Sequence, residues 1–376
     1  MNYEVYFPRG IAKGNSFCNR KDERARLLKN IKTGQHTLLM SPRRYGKTSL
    51  VFYVINEVEL PFGDADLFVA VDVGKIEQAI LAGIRKVIAA VGTPTDQALS
   101  ILRDYFKNKN TQWTVGTQGV NVVLAPSPHA DPATNILEAL QALENLLQKK
   151  KKRAVLFLDE VQEIGEIPGG KGIEGAIRHV AQQTKYLSLI FSGSKRHLLA
   201  QMFYGKSRPL YKLCDRIVLD RIDQAEYIDH INKFAVKRWG KKLDEIVLDR
   251  IFQLTDLHPY YVNNLCLRLW EADLNDLPEP SNVTNCWQIM LKEELSEISR
   301  ELSDLSVGQR KVLSIIANGQ KSGLTSKEVL RILDLNSSSV IEAIRALSQK
   351  DYIEKLENNE YRIIDPLIKA SLLNFS

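Results

Sequence analysis

The chain's 376 residues exceed what one hydrophobic core usually organises, so two or three domains are expected. Hydrophobic residues make up 44% and charged residues 26%, a globular composition that excludes a largely disordered chain. The 51 Lys and Arg against 45 Asp and Glu leave a net charge of +6, too small and too dispersed to imply a nucleic-acid partner by itself.

No stretch approaches the roughly 18 apolar residues of a spanning helix, and the first residues lack the apolar run of a secretory leader. A cytoplasmic protein with no membrane partner is expected. Cys18, Cys214, Cys266 and Cys286 are scattered without zinc-ligand or disulfide spacing, which suits a reducing compartment and four buried thiols.

In chain order, residues 36–40, 67–73, 154–158, 187–192 and 216–219 are short apolar or β-branched runs separated by helical patterns. This alternation predicts an α/β core whose mainly parallel sheet is covered on both faces. Between them, Gln112 to Leu124 alternates like a β-hairpin, read as a decoration of the sheet edge. The basic run Lys149 to Arg153 follows an amphipathic segment and reads as a solvated helix end, where cations complement the dipole.

From Gln224 helical periodicity takes over; Pro278 and Pro280 interrupt it, and a helix is expected to resume from about Thr284 to Leu302. The tail predicts short helices over Ser306–Ala317, Thr325–Leu333 and Ser337–Lys350, each capped by Ser or Thr, then a hairpin around Asn358 and Asn359. Three helices and a hairpin suggest a winged helix-turn-helix. The expected division is 1–222 for the core, 223–303 for a helical lid and 304–376 for the winged helix.

The chemistry concentrates where the strand HTLLM meets SPRRYGKTS and an apolar helix. Such a loop, Ser41, Pro42, Arg43, Arg44, Tyr45, Gly46, Lys47, Thr48 and Ser49, offers converging backbone N–H groups, an ammonium for the β- and γ-phosphates and a hydroxyl beside Mg2+. Ser41 stands where the pattern asks for Gly. Arg43 and Arg44 serve the nucleotide, a neighbouring subunit, or only a solvated loop face.

The partner motif is AVLFLDEV, an apolar strand ending in an acidic pair. Asp159 is placed to hold Mg2+ with Thr48, and Glu160 to orient or polarise an attacking water. After the next strand, Ser194 is the choice for a group touching the γ-phosphate or its water, with a plain helix cap as the alternative. ATP and Mg2+ are the implied cofactors.

These segments, with TDLHPYYVNNLCLRLW further on, occur in an order that resembles bacterial and archaeal P-loop ATPases of the AAA+/STAND type, related to origin-recognition ATPases and ending in a winged helix. The resemblance covers nearly the whole chain. It implies a five-stranded core with the Walker A and Walker B strands adjacent, a helical lid, Arg20 near the adenine and base contacts from His258 and Pro259. A Pro that merely shapes a helix entrance is the plainer reading of that last pair.

Two departures stand out. Leu257 replaces the Gly of the family's Gly-His-Pro, and Lys212-Leu213 replaces a Gly-Arg pair. An arginine finger is worth about 10³ to 10⁵ in rate, so Arg208, Lys212 or Arg216 must substitute, or hydrolysis is slow.

In the winged helix, Val340, Ile341, Ile344 and Leu347 are expected to face the core, leaving Ser337, Ser338, Glu342, Arg345, Gln349 and Lys350 outward, with an acidic hairpin tip. Charges nearly balance here, so the cations that drive DNA affinity are poorly supplied. A slowly hydrolysing, ATP-dependent conformational switch with a protein partner is the leading expectation. A DNA-acting ATPase and a scaffold without turnover are the alternatives, and self-association is left open.

Overall fold

The computed structural model describes residues 6–18, 20–91, 112–116, 119–123, 131–272, 274 and 276–374. The chain clusters into two compact units, one of residues 20–43 and 47–219, the other of residues 1–19, 44–46 and 220–376.

The first unit contains α1 (Lys21–Thr33), β1 (Thr37–Met40), α2 (Lys47–Val58), β2 (Phe62–Asp66), α3 (Val73–Ala90), β3 (Gln112–Gly116) and β4 (Gly119–Val123). It continues through α4 (Pro132–Lys150), β5 (Ala154–Asp159), α5 (Gln162–Glu166), α6 (Gly170–Ala181), β6 (Leu187–Gly193), α7 (Arg196–Tyr204) and β7 (Asp215–Val218). Its sheet has five parallel strands in the order β2-β5-β6-β1-β7. The strands β1, β5 and β6 are buried almost throughout, as expected for strands covered on both faces. The hairpin β3–β4 pairs antiparallel, as its alternation predicts.

Three expectations need correction here. The Walker A strand β1 and the Walker B strand β5 are not neighbours, because β6 lies between them. The second core strand is Phe62–Asp66, not 67–73. A side chain at Gly63 would put its Cβ 2.1 Å from the Gly83 carbonyl oxygen, so α3 lies directly on this strand and little apolar bulk is needed. The more hydrophobic Phe68, Val69 and Val71 instead sit past the strand's end, 51%, 78% and 80% exposed. Finally, Cys214 and Cys286 are only partly buried, whereas Cys18 and Cys266 are buried.

The basic run does more than face solvent. Lys149 and Lys150 close α4, Lys152 Nζ donates to the Val91 carbonyl at 3.0 Å just past α3, and Arg153 donates to the Lys32 carbonyl in the last turn of α1. Carbonyls left over at helix ends thus find cationic partners.

The second unit holds α8 (Gln224–Trp239), α9 (Glu245–Thr255), α10 (Pro259–Glu271) and α11 (Pro280–Ser303). After these come α12 (Val307–Ala317), α13 (Lys327–Leu333), α14 (Ser337–Gln349), β8 (Ile353–Lys355), β9 (Tyr361–Ile363) and α15 (Pro366–Asn374). One apolar cluster runs from Phe7 through Tyr227, Val262 and Trp287 to Leu347 and Ile368. Pro280 begins α11 instead of preceding it, because a first helical position needs no N–H.

The tail has the expected helices and hairpin, with two changes. The cap of α12 is Ser306 as expected, but that of α13 is Ser326 in place of Thr325 and that of α14 is Asn336, whose side chain accepts from Ser339 N at 2.8 Å. Ile341 does not face the core: it is 56% exposed, while Val340, Ala343 and Leu347 are buried. No described helix is long and apolar enough to cross a membrane.

Candidate functional site

Parallel strands end their carbonyl-to-amide runs at one edge, and helix N-termini follow, so this edge collects polar side chains and helix dipoles. Between β1 and α2 the loop turns through left-handed backbone at Arg44 (φ 65°) and Gly46 (φ 87°). A Cβ at Gly46 would meet nothing within 4 Å, so the glycine is required by the backbone angle and not by crowding.

Ser41, the departure from Gly, is fully buried and its hydroxyl donates to the Pro42 carbonyl at 3.1 Å. Lys47, the first residue of α2, is buried and its ammonium donates to the carbonyls of Ser41 and Pro42, both at 3.2 Å. Its charge therefore lies folded back along the loop. Ser49 is buried one residue after Thr48 on the same helix.

Across the sheet edge, Thr48 Oγ1 donates to Asp159 Oδ2 at 2.8 Å. Asp159 Oδ1 accepts from the Ser192 hydroxyl and from Glu160 N at 3.0 Å. Burial raises the Asp159 pKa; the Ser192 and Thr48 hydroxyls pull it down, neighbouring Glu160 pushes it up and Lys47 pulls it down, leaving it above its ordinary value.

Glu160 sits in left-handed backbone at φ 52°, uncommon for a residue with a side chain. Its Oε2 accepts from Ser194 N at 3.0 Å, Ser194 Oγ at 2.7 Å and Gln162 Nε2 at 2.6 Å. Burial pushes its pKa up, but the Lys47 charge and the Gln162 and Ser194 donors outweigh that and hold the carboxyl below its ordinary value. Adjacent carboxylates are thus shifted in opposite directions.

Ser194, chosen from sequence, directly follows β6 and is joined by Ser192 inside that strand: Ser194 holds Glu160, and Ser192 with Thr48 holds Asp159. Arg43 Nε donates to Ser194 Oγ at 3.5 Å, and its guanidinium lies 5.0 Å over the Phe68 ring. Arg20 caps α1 in left-handed backbone at φ 49°, buried, with Nη1 donating to Glu23 Oε1 at 3.0 Å.

The three proposed stand-ins for an arginine finger differ. Arg208 is committed to both oxygens of the fully buried Glu174, with Nε to Oε2 at 3.2 Å. Lys212 and Arg216 are exposed, stacked over Tyr211 and Tyr204 at 5.5 and 5.7 Å.

Arg44, Tyr45 and Gly46 cluster with the second unit. The Arg44 guanidinium lies 4.4 Å over Tyr260. Tyr45 is fully buried, edge-on to His258 at 4.8 Å, and its hydroxyl lies 3.4 Å from Arg221 Nε and 3.5 Å from Glu354 Oε1. Glu354 accepts from Arg362 at 2.7 Å, and Arg221 also reaches the carbonyls of Ile363 and Ile364 at 3.2 and 3.0 Å.

His258 caps α10 and Pro259 is its first residue, both buried. Burial first, then the charges of Arg221 and Arg44, hold the His258 pKa well below its ordinary value, so the ring is neutral. Its Nδ1 is buried without a hydrogen-bond partner. Gln162 and Arg221 are the residues that sequence reasoning passed over, whereas Ser192 was considered beside Ser194 and not chosen. For Gln162 the available signal was an amide two residues after Glu160, directly after the AVLFLDEV motif.

A family described as a probable winged helix domain matches residues 297–374. No curated protein sequence matches the chain. Among solved structures, the chain is similar to the Walker-type ATPase of Pyrococcus abyssi, with a TM-score of 0.70 at 16% identity over 98% of this chain and 100% of that one. It is also similar to the ORC2 protein of Aeropyrum pernix in its ADPNP–ADP complexes, with a TM-score of 0.58 at 15% identity over 94% of this chain and 93% of that one. The resemblance read from the motifs therefore holds at the level of fold: a P-loop core with a five-stranded parallel sheet, followed by helices and a C-terminal winged helix.

Proposed function

We propose that this chain binds ATP with Mg2+ and hydrolyses it slowly, as a nucleotide-dependent switch of the STAND type. The observation that carries the reading is the edge where Thr48 and Ser192 hold Asp159 while Ser194 holds Glu160, beside the start of α2. The donor set fits the ligands: a hydroxyl and a carboxylate 2.8 Å apart are hard oxygen donors of the kind Mg2+ takes, and an ammonium at a helix N-terminus suits phosphate.

In this reading Lys47 and the loop N–H groups from Ser41 to Ser49 bind the phosphates, and Thr48 and Asp159 hold the metal, Asp159 through water. The metal, when bound, neutralises charge developing on the transferred phosphoryl group. Glu160 accepts a proton from water as the water oxygen bonds to the γ-phosphorus. The bond from that phosphorus to the β–γ bridging oxygen breaks, ADP leaves, and the proton passes on to the inorganic phosphate. Arg20, His258 and Pro259 are proposed for the adenine end. Leu213 in place of an arginine, with Arg208 tied to Glu174, supports slow turnover.

For the winged helix we propose a protein-docking or intramolecular role over DNA binding. Its exposed face carries Ser337, Ser338, Ile341, Glu342 and Arg345, and Ile332 on α13 is 68% exposed. Exposed apolar side chains such as Ile341 and Ile332 suit a protein contact better than a phosphate backbone. Titrating the full chain with ATP in a calorimeter, with and without Mg2+, and following phosphate release tests the reading. No binding by the parent chain would refute it.

A further inference from the structure

We propose that Gln162 is the positioning residue for Glu160: its amide fixes the carboxylate so that Oε2 is fully engaged and Oε1 is the oxygen left to take the proton from water. The inference rests on the hydrolysis reading above.

Gln162 is fully buried at the first position of α5. Its Nε2 lies 2.6 Å from Glu160 Oε2 and 3.3 Å from Glu163 Oε1. Both neighbours are acceptors, so the amide orientation is settled: the flipped rotamer would set an oxygen against two carboxylates. Its own Oε1 is buried with no hydrogen-bond partner. Burying an acceptor unpaired is costly, and an apolar side chain of the same length would avoid it. The amide's donor is the part that the site uses.

The strand opposite is shaped around this side chain. A Cβ at Gly193 would lie 2.0 Å from Gln162 Oε1, so β6 carries no side chain where the amide sits. From the next residue, Ser194 N and Oγ approach the same carboxylate oxygen that Gln162 engages. Donors converging on Oε2 from two chain segments fix both the position and the plane of the carboxylate. Among the described residues, Oε1 accepts no hydrogen bond.

The experiment uses the full chain, single-turnover release of phosphate from radiolabelled ATP, and a fluorescent ATP analogue for affinity. Gln162→Met, similar in length and shape, is expected to lower the hydrolysis rate about 10- to 100-fold while nucleotide affinity stays within about threefold, as misplacement of a reacting group does. Gly193→Ala is expected to lower the rate in the same way, by displacing the amide. If it acts through Gln162, the double variant Gln162→Ala/Gly193→Ala will match Gln162→Ala alone within about twofold.

Gln162→Met turning over at the parental rate while Glu160→Gln is inactive would overturn this proposal and leave the hydrolysis reading standing. Full multiplicative loss in the double variant would also overturn it. Binding without any phosphate release by the parent would defeat the hydrolysis reading, and this inference with it. Should Gly193→Ala not fold, Gln162→Met decides by itself.

Discussion

The carboxyl edge of the sheet and the outward face of the winged helix are both surfaces built from small polar residues, yet they are organised oppositely. At the sheet edge, Ser192, Ser194, Gln162 and Thr48 are turned on two carboxylates beside a buried lysine. On α14, Ser337 and Ser338 stand in solvent with Ile341 beside them. The first arrangement spends its donors on fixed charges in a poorly hydrated place, where electrostatics are strong. The second offers contact area and little charge.

The largest effect expected from this contrast is at Lys47. Lys47→Ala should weaken ATP binding at least about 100-fold, because an ammonium contributes charge-assisted bonds in a shielded site; calorimetry returning the parental affinity would remove the contrast. Glu160→Gln comes next. It should keep affinity within about threefold and slow phosphate release by about 10² to 10⁴, the usual worth of a general base. Hydrolysis at the parental rate would take the base role away from Glu160.

The winged helix supplies a smaller test. Leu347→Ala, at a fully buried position, should cost about 2–5 kcal/mol in urea unfolding, whereas Ile341→Ala should fall within about 0.5 kcal/mol. Equal costs would mean that Ile341 is covered. A small effect of opposite sign is expected at Lys212, exposed and held at φ 54°. Lys212→Gly should stabilise the chain by up to about 1 kcal/mol by relieving the left-handed backbone, and a loss of stability would show that the lysine side chain holds the turn.

Lys212 and Leu257 also show how far the sequence could be read. Each stands where the resembling family has glycine, and each keeps a left-handed backbone, φ 54° and φ 57°. The chain therefore turns left-handed at both positions without a glycine, something no residue count reveals. Leu257 is packed against the core of its unit, a contact that offsets the strain. That the loop after β1 and the acidic pair ending β5 meet at one sheet edge was legible, because each motif is local and its spacing short.

Strand order was not legible, since it depends on contacts far apart in sequence, and β6 came to lie between the two motif strands. Nor was β2: Phe62–Asp66 is weakly apolar because α3 approaches over Gly63, while the branched run after it projects into solvent. In α14 the apolar periodicity was read correctly, but an apolar residue beside a helical stripe need not belong to it, and Ile341 does not.

Asp159 and the two hydroxyls that hold it come from three different chain segments, Thr48 in the helix after β1, Asp159 ending β5 and Ser192 near the end of β6. In the ladder Leu158 faces Phe191 and Leu39 faces Ser192. A slip of one residue in either pairing would turn Ser192 to the opposite face of the sheet and take one of its donors from the part-buried Asp159 carboxylate. The cluster thus acts as a checksum on assembly: a mispaired sheet is penalised at this point before any ligand arrives.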